Sequence, residues 1–187
     1  MNLIHPQTEE FDFAETSKTR QVLVIEQKTD EQASSLGGYH DQDLAHRQQR
    51  QKQHGSHSRR LSAKFIELWR TQRPDDEIIY RDVGASPPKP VTGDWVHAAF
   101  TKPEQREDWM HDALAQSDTL VDELLRADVI VVGVPMYNFG MPAQMKAWLD
   151  NIVRVGRTFG FDRTRDGVPY WPMVTGNKSI VALSSRG

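Results

Sequence analysis

The sequence predicts an α/β protein with an open parallel sheet covered by helices on both faces, and three observations support this fold class. Four short runs have the composition of strands, and the run Ile130–Val134 is continuously apolar, as is typical of a strand buried on both faces. Stretches with apolar residues at helical spacing lie between these runs. The resulting order, β-α-β-α-β-α-β without an internal repeat, requires crossover connections, which are right-handed in parallel sheets.

The N-terminal part of the chain combines two polar segments with one strand. We expect residues 1–20 to form a polar leader and Gln21–Glu26 to form the first buried strand. Residues 27–55 contain seven glutamines and three histidines among few apolar side chains. This composition cannot bury enough surface to offset the entropy lost on ordering, so we expect a disordered insertion.

A helix, a strand and a second helix follow the insertion. The first helix ends before Pro74, and Glu77–Arg81 is the second strand. Asp82–Pro103 is rich in proline and predicts a long loop, whereas Arg106–Arg126 predicts a helix that leads into the next strand. The expected apolar face of the first helix is Leu61, Phe65, Leu68 and Trp69.

The third strand, residues 129–134, is followed by the most distinctive loop of the sequence. This loop, Pro135–Gly140, carries no charge, and the next helix has Pro142 in its first turn, where the missing N–H costs nothing. In open α/β sheets ligands bind outside the carboxyl ends of the strands, so the loop is the first candidate site. Residues 157–175 predict a loop and Ser179–Ser184 a fourth strand. The expected apolar face of the third helix is Met145, Trp148, Leu149, Ile152 and Val155.

The composition excludes several classes of function. Without cysteine the chain holds no disulfide, thiolate metal site or cysteine nucleophile. A net charge of −3 argues against nucleic acid as the main partner. No apolar stretch approaches the roughly 18 residues of a membrane span, so we expect a soluble, cytoplasmic protein with no membrane partner.

The start of the first helix is a candidate anion site. Ser56, His57 and Ser58 stand where unpaired backbone N–H groups and the helix dipole favour an anion. Simple N-capping by Ser58 explains the same residues, and the local sequence leaves both interpretations open. Neither a GxGxxG nor a GxxxxGK[ST] pattern is present, so a dinucleotide or P-loop site is not supported.

The aromatic loop also allows two interpretations. Met136, Tyr137, Asn138 and Phe139 either pack a flat ring and offer it backbone N–H groups, or fill a structural turn. His54 and His57, three positions apart, and His40 and His46, six apart, lie in or beside the stretch expected to be disordered, so no metal site is predicted. The sequence also contains a basic run, which we interpret as a solvated tail rather than as a contact surface for RNA or an acidic partner. The run consists of Arg47, Arg50, Lys52, Arg59 and Arg60.

Four motifs carry a resemblance that covers Ser56 to Gly187. They are PMYNFGMPAQMKAWLDNIVRVGRTFGF, the upstream SDTLVDELLRADVIVVG, the RDV after the second strand and the closing SSRG. Together they resemble the FMN-dependent NADH azoreductases, also called NADH:quinone oxidoreductases. The resemblance implies a flavodoxin-like fold of strand order 2-1-3-4-5 and a homodimer with FMN at its interface.

The resemblance also implies roles for individual residues. Ser56, His57 and Ser58 would face the FMN phosphate, and Met136, Tyr137, Asn138 and Phe139 would flank the ribityl chain and the ring. Ser185, Arg186 and Gly187 would begin the loop at the pyrimidine edge, and Tyr137, Phe139 and Phe159–Phe161 would form the wall that faces the substrate. NADH would reduce the flavin, and a quinone or azo compound would be reduced in a second half-reaction. This ping-pong scheme needs no acid or base from the protein, because the cofactor carries the chemistry.

Two departures from the family pattern are evident. Glu26 is followed by Gln27 and Lys28, where the family has a small residue and a serine, and the polar insertion follows. The family's last strand and helices are absent beyond Gly187, which predicts that Ser179–Ser184 lies at an exposed edge. The alternative function is a catalytically impaired relic that acts as a binding or dimerising module. A one-electron carrier is less favoured, because the aromatic loop has no acidic residue.

Overall fold

A computed structural model describes residues 19–27 and 57–185 of the chain. Four α-helices are described: α1 (His57–Gln72), α2 (Gly93–Phe100), α3 (Asp108–Arg126) and α4 (Ala143–Ile152), with a 3-10 turn at Pro103–Gln105 between α2 and α3. The described strands are β1 (Gln21–Glu26), β2 (Glu77–Asp82), β3 (Val129–Pro135), β4 (Phe159–Phe161), β5 (Tyr170–Pro172) and β6 (Ser179–Ser185). Almost all of the predicted leader and insertion lies outside the described residues.

The four long strands form one parallel sheet in the order β2-β1-β3-β6. The predicted parallel sheet is therefore confirmed. The register pairs Glu26 with Asp82 and Pro135 with Ser185, so all four strands end at one edge of the sheet. That edge brings together the segments that follow the strands, and it is where a ligand is expected.

Both faces of the sheet are covered, because the central strands alternate their side chains between two cores. Leu23 and Ile25 of β1 point to the face covered by α3 and α4. Val22 and Val24 point to the opposite face, where they pack with Ile66 and Trp69 of α1. No helix in the described ranges is long and apolar enough to cross a bilayer.

The buried face of α1 differs from the predicted one. Leu61 and Leu68 are exposed, at 44% and 55%, whereas Ser58 and Ser62 are buried. The helix lies with its serines against β3, where a Cβ on Gly133 would stand 2.6 Å from Ser62 Oγ. Glycine at position 133 thus permits a close approach that hydrophobic periodicity alone does not reveal.

The predicted loop over Asp82–Pro103 was wrong, because it contains helix α2. Thr92 Oγ1 caps this helix by accepting a hydrogen bond from Trp95 N–H at 3.2 Å. Its Ala98 and Ala99 pack on α3 in a small separate core. Pro87, Pro88 and Pro90 lie before the helix and Pro103 lies after it, so no proline interrupts α2, and the threonine cap is the local signal that marks its start.

The predicted loop over residues 157–175 was also wrong, because β4 and β5 form an antiparallel hairpin there. Trp171 of β5 lies across Gly160, whose added Cβ would stand 2.1 Å from the indole. Each strand has only three residues, too few for an alternating pattern. The helix before the hairpin ends at Ile152, so Val155 is not part of the predicted helical face.

Gln27 contradicts the predicted boundary of the insertion. Its side chain is 3% exposed, and its Nε2 donates to Gln144 Oε1 at 2.9 Å. The residue therefore belongs to the folded domain and ties the end of β1 to the first turn of α4. The remainder of the insertion, residues 28–55, lies outside the described ranges.

Candidate functional site

Loop Pro135–Gly140 folds into a tight two-residue turn at the carboxyl edge of the sheet. Tyr137 N–H donates to the Gly140 carbonyl and Gly140 N–H donates to the Tyr137 carbonyl, both at 2.9 Å. The central residues Asn138 and Phe139 have φ angles of 48° and 64°. Positive φ at both central positions is the requirement of a type I′ turn.

The turn presents apolar side chains to solvent. Phe139 is 96% exposed, and Met136 and Tyr137 are exposed as well. Partial burial raises the pKa of the Tyr137 phenol, which therefore stays neutral at physiological pH. An uncharged aromatic surface beside exposed backbone is suited to packing against a flat ring.

The start of α1 lies on the face of the sheet opposite α4. His57 is exposed, Ser58 is buried and Ser56 falls outside the described residues. The first N–H groups of a helix have no partner within it, so this end can bind an anion. Ser62 donates to the Ser58 carbonyl at 3.2 Å, which places a second hydroxyl one turn further along.

A charged cluster that sequence reasoning missed lies beside this helix end. Arg59 Nη2 is 3.3 Å from Asp82 Oδ2, and Arg59 Nε is 3.9 Å from Glu26 Oε2. Arg59 is only partly exposed, so its assignment to a solvated basic tail was wrong. Its Nε is buried and has no hydrogen-bond partner within the part of the chain that the structure describes. The sequence could have indicated this cluster, because Glu26 and Asp82 lie at the ends of two strands that are neighbours in the sheet.

The other predicted site residues are only partly described. Ser185 ends β6 opposite Pro135 of β3, whereas Arg186 and Gly187 lie outside the described ranges. Phe159–Phe161 belong to the hairpin. The hairpin follows the C-terminal end of α4, whereas the aromatic turn precedes the N-terminal end of this helix. Ten residues of helix span about 15 Å, so α4 separates the hairpin from this turn within one chain.

The hairpin instead contacts α2 and carries two stacked cations. The Phe100 and Phe161 rings meet edge-on with centroids 6.1 Å apart. Arg165 lies 5.0 Å above the Trp171 ring, and Arg163 lies 6.0 Å from that of Phe161. Among the described residues no group of histidine, aspartate and glutamate side chains could hold a metal ion.

Comparison with known proteins identifies a family model and several relatives that this chain matches. Residues 46–187 match a family model described as a flavodoxin-like fold. An FMN-dependent NADH:quinone oxidoreductase 2 of Idiomarina loihiensis is 48% identical over 134 residues, which cover 72% of this chain and 55% of the relative. An FMN-dependent NADH:quinone oxidoreductase of Nostoc sp. is 43% identical over 130 residues, covering 70% and 61%. The chain thus spans between half and two thirds of the length of these relatives.

Solved structures agree with the flavodoxin-like fold. An azoreductase from Bacillus anthracis superposes with a TM-score of 0.67 at 20% identity, covering 90% of this chain and 70% of that one. An FMN-dependent NADH-azoreductase from the same species, solved in complex with FMN, gives a TM-score of 0.63 at 12% identity, covering 89% and 68%. At such identities the likeness establishes the fold alone.

Proposed function

The chain belongs to the flavodoxin-like fold family, and from this premise we propose that it binds FMN and reduces quinones or aromatic azo compounds with two electrons from NADH. Relatives at 43–48% identity bear the name FMN-dependent NADH:quinone oxidoreductase. The observation that carries the proposal is the exposed aromatic turn at the carboxyl edge of the sheet, near the start of α1.

The residues at this edge fit FMN. The α1 end supplies hydroxyl and N–H groups for a phosphate, and the buried Nε of Arg59 is a donor without an acceptor in the described ranges. Ser56, His57 and Ser58 would hold the phosphate. The backbone and side chains of Met136, Tyr137, Asn138 and Phe139 would flank the ring. Ser185, Arg186 and Gly187 would hold its pyrimidine edge.

The protein's own part in the reaction is binding, orientation and exclusion of water. FMN, when bound, supplies the two-electron chemistry between NADH and the acceptor. The turn at Asn138 and Phe139 orients backbone N–H groups, and the neutral Tyr137 keeps charge away from the ring. No side chain is required as a general acid or base, because FMN, when bound, carries the two-electron chemistry.

We propose a homodimer as the working assembly, in the cytoplasm where NADH is the available donor. Apolar side chains on α2 and the hairpin support this assembly, since Phe100, Val168 and Tyr170 are between 56% and 61% exposed. A second copy would bring the hairpin wall of Phe159–Phe161 to the other chain's aromatic turn. The mass in solution, measured by sedimentation equilibrium, tests the assembly independently of activity.

The proposed function is tested by flavin titration and turnover of the purified chain. We expect FMN to bind more tightly than FAD, because no glycine-rich dinucleotide turn is present. Tyr137→Ala should weaken FMN binding, whereas Tyr80→Ala, an exposed tyrosine on β2, should not. The FMN-loaded chain should oxidise NADH when a naphthoquinone is added.

Two results would contradict the proposal. Equal or tighter binding of FAD would exclude a mononucleotide site. Binding of FMN without NADH oxidation would instead favour the alternative, a module that binds flavin or dimerises without catalysis.

A further inference from the structure

Two carboxylates lie at the carboxyl edge where the proposed function requires a phosphate. Glu26 and Asp82 are the last residues of β1 and β2, and they are direct neighbours in the parallel register. Arg59 lies between them, 3.3 Å from Asp82 Oδ2 and 3.9 Å from Glu26 Oε2. We call these three residues the exit cluster.

The exit cluster lies within one helical turn of the proposed phosphate site. Arg59 follows Ser58 directly, and the hydroxyl of Ser62 interacts with the Glu26 carboxylate and with the Ser58 carbonyl. The Glu26 side chain is 16% exposed, so solvent screens its charge only in part. A phosphate at the start of α1 would therefore experience this negative charge.

The charges of the exit cluster do not cancel. With both carboxylates ionised, two negative charges face one positive charge, and the net charge is negative. Burial raises the pKa of Glu26, Arg59 and Ser62 lower it, and Asp82 raises it further. The Arg59 side chain is 36% exposed while it is paired, so its guanidinium can also contact an incoming anion.

On the basis of the proposed function, we propose that the exit cluster sets the preference of this protein between phosphorylated and unphosphorylated flavin. Arg59 attracts the phosphate of FMN, and Glu26 opposes it. Riboflavin has the same ring and ribityl chain but no phosphate, so the cluster does not act on its binding. Glu26 is thus a specificity-determining residue that lowers the affinity for FMN relative to riboflavin.

The test measures dissociation constants for FMN and riboflavin with the full chain, by quenching of flavin fluorescence. Glu26→Gln keeps the shape of the side chain and removes its charge. We expect it to tighten FMN binding about tenfold and to leave riboflavin binding within about twofold. Arg59→Gln should weaken FMN binding by a similar factor with riboflavin again unaffected. Glu67→Gln, on the exposed side of α1, is the matched control for a change in net charge.

The outcomes distinguish this inference from the proposed function. If Glu26→Gln and Glu67→Gln give the same ratio of FMN to riboflavin affinity, the exit cluster does not set the preference. The same conclusion follows if Glu26→Gln alters the binding of both flavins equally. If the parent chain binds FMN but does not reduce quinone, the proposed function fails while the affinity ratio still tests the cluster. If the parent binds neither flavin, both proposals fail.

Discussion

Phe139 holds a backbone conformation that a bulky residue seldom adopts. Its φ of 64° lies in the left-handed region, which costs L-residues roughly 1–2 kcal/mol. Asn138, at 48°, tolerates the same region because its short amide can bond locally. The Phe139 ring is 96% exposed, so its own burial does not offset the strain. Strain of this kind concentrates at functional sites, which agrees with a role for this turn in flavin binding.

We expect Phe139→Gly to be more stable than Phe139→Ala by about 1 kcal/mol, because only alanine keeps the Cβ that disfavours positive φ. Both variants remove the aromatic ring, so their difference isolates the backbone. Urea unfolding of the two variants measures it. Equal free energies of unfolding would show that residue 139 is not strained, and both variants should bind FMN less tightly than the parent.

At the scale of elements, one carboxylate fixes the connection between α1 and β2. Asp76 accepts hydrogen bonds from Trp69 Nε1 at 3.0 Å, Arg73 Nε at 2.7 Å and the Arg20 N–H at 2.9 Å. Arg20 directly precedes β1, so the carboxylate joins three elements. Burial acts to raise the pKa of Asp76, but the hydrogen bonds from Arg73, Arg20 and Trp69 outweigh it and the net shift is downward.

The lowered pKa of Asp76 predicts that part of the protein's stability is lost in acid, when this carboxylate is protonated. Ionised Asp76 stabilises the fold fully above its unfolded pKa of about 3.9, and the contribution is lost as the pH falls through the lower, folded value. Asp76→Asn should cost about 2 kcal/mol at neutral pH and make stability fall less steeply below about pH 4. Urea unfolding between pH 7 and pH 3 measures both effects, with the exposed neighbour Asp75→Asn as control. Parallel curves for Asp76→Asn and the parent would contradict the prediction.

At the scale of the whole molecule, the two edges of the described sheet differ in character. β2 carries Glu77, Arg81 and Asp82, and charges on an edge strand discourage pairing with other chains. β6 has no charged residue, and within the described ranges β3 is its only neighbour. Ile180 on this strand is 69% exposed. Among the described strands, β6 therefore presents the uncharged edge of the sheet, and Ile180 is an exposed apolar side chain on it.

Ile180→Lys should reduce self-association, because a lysine on an exposed edge strand opposes strand addition. The free energy of unfolding should change by no more than about 0.5 kcal/mol, since the replaced side chain is mostly in solvent. Light scattering over a concentration series measures association, and Ile180→Val serves as the apolar control. Association of the lysine variant at the level of the parent would show that β6 is not the surface responsible.

The sequence by itself determined the features that depend on local pattern. Short runs of strand composition located β1, β2, β3 and β6, and helical spacing located α1, α3 and α4. Strand ends in an open parallel sheet meet at one edge, so the aromatic loop after β3 could be named a candidate site before its geometry was known. The family resemblance rested on the same contiguous motifs.

Only the tertiary structure decided features that join distant parts of the chain. The buried face of α1 depends on the contact between Ser62 and Gly133, and the short hairpin depends on Trp171 lying across Gly160. Gln27 belongs to the core because it meets Gln144, which is 117 positions away. The exit cluster likewise requires the register that places the ends of β1 and β2 side by side. Spacing along a chain predicts which face of an element is apolar, but partners across elements follow from register and close packing, which one sequence does not specify.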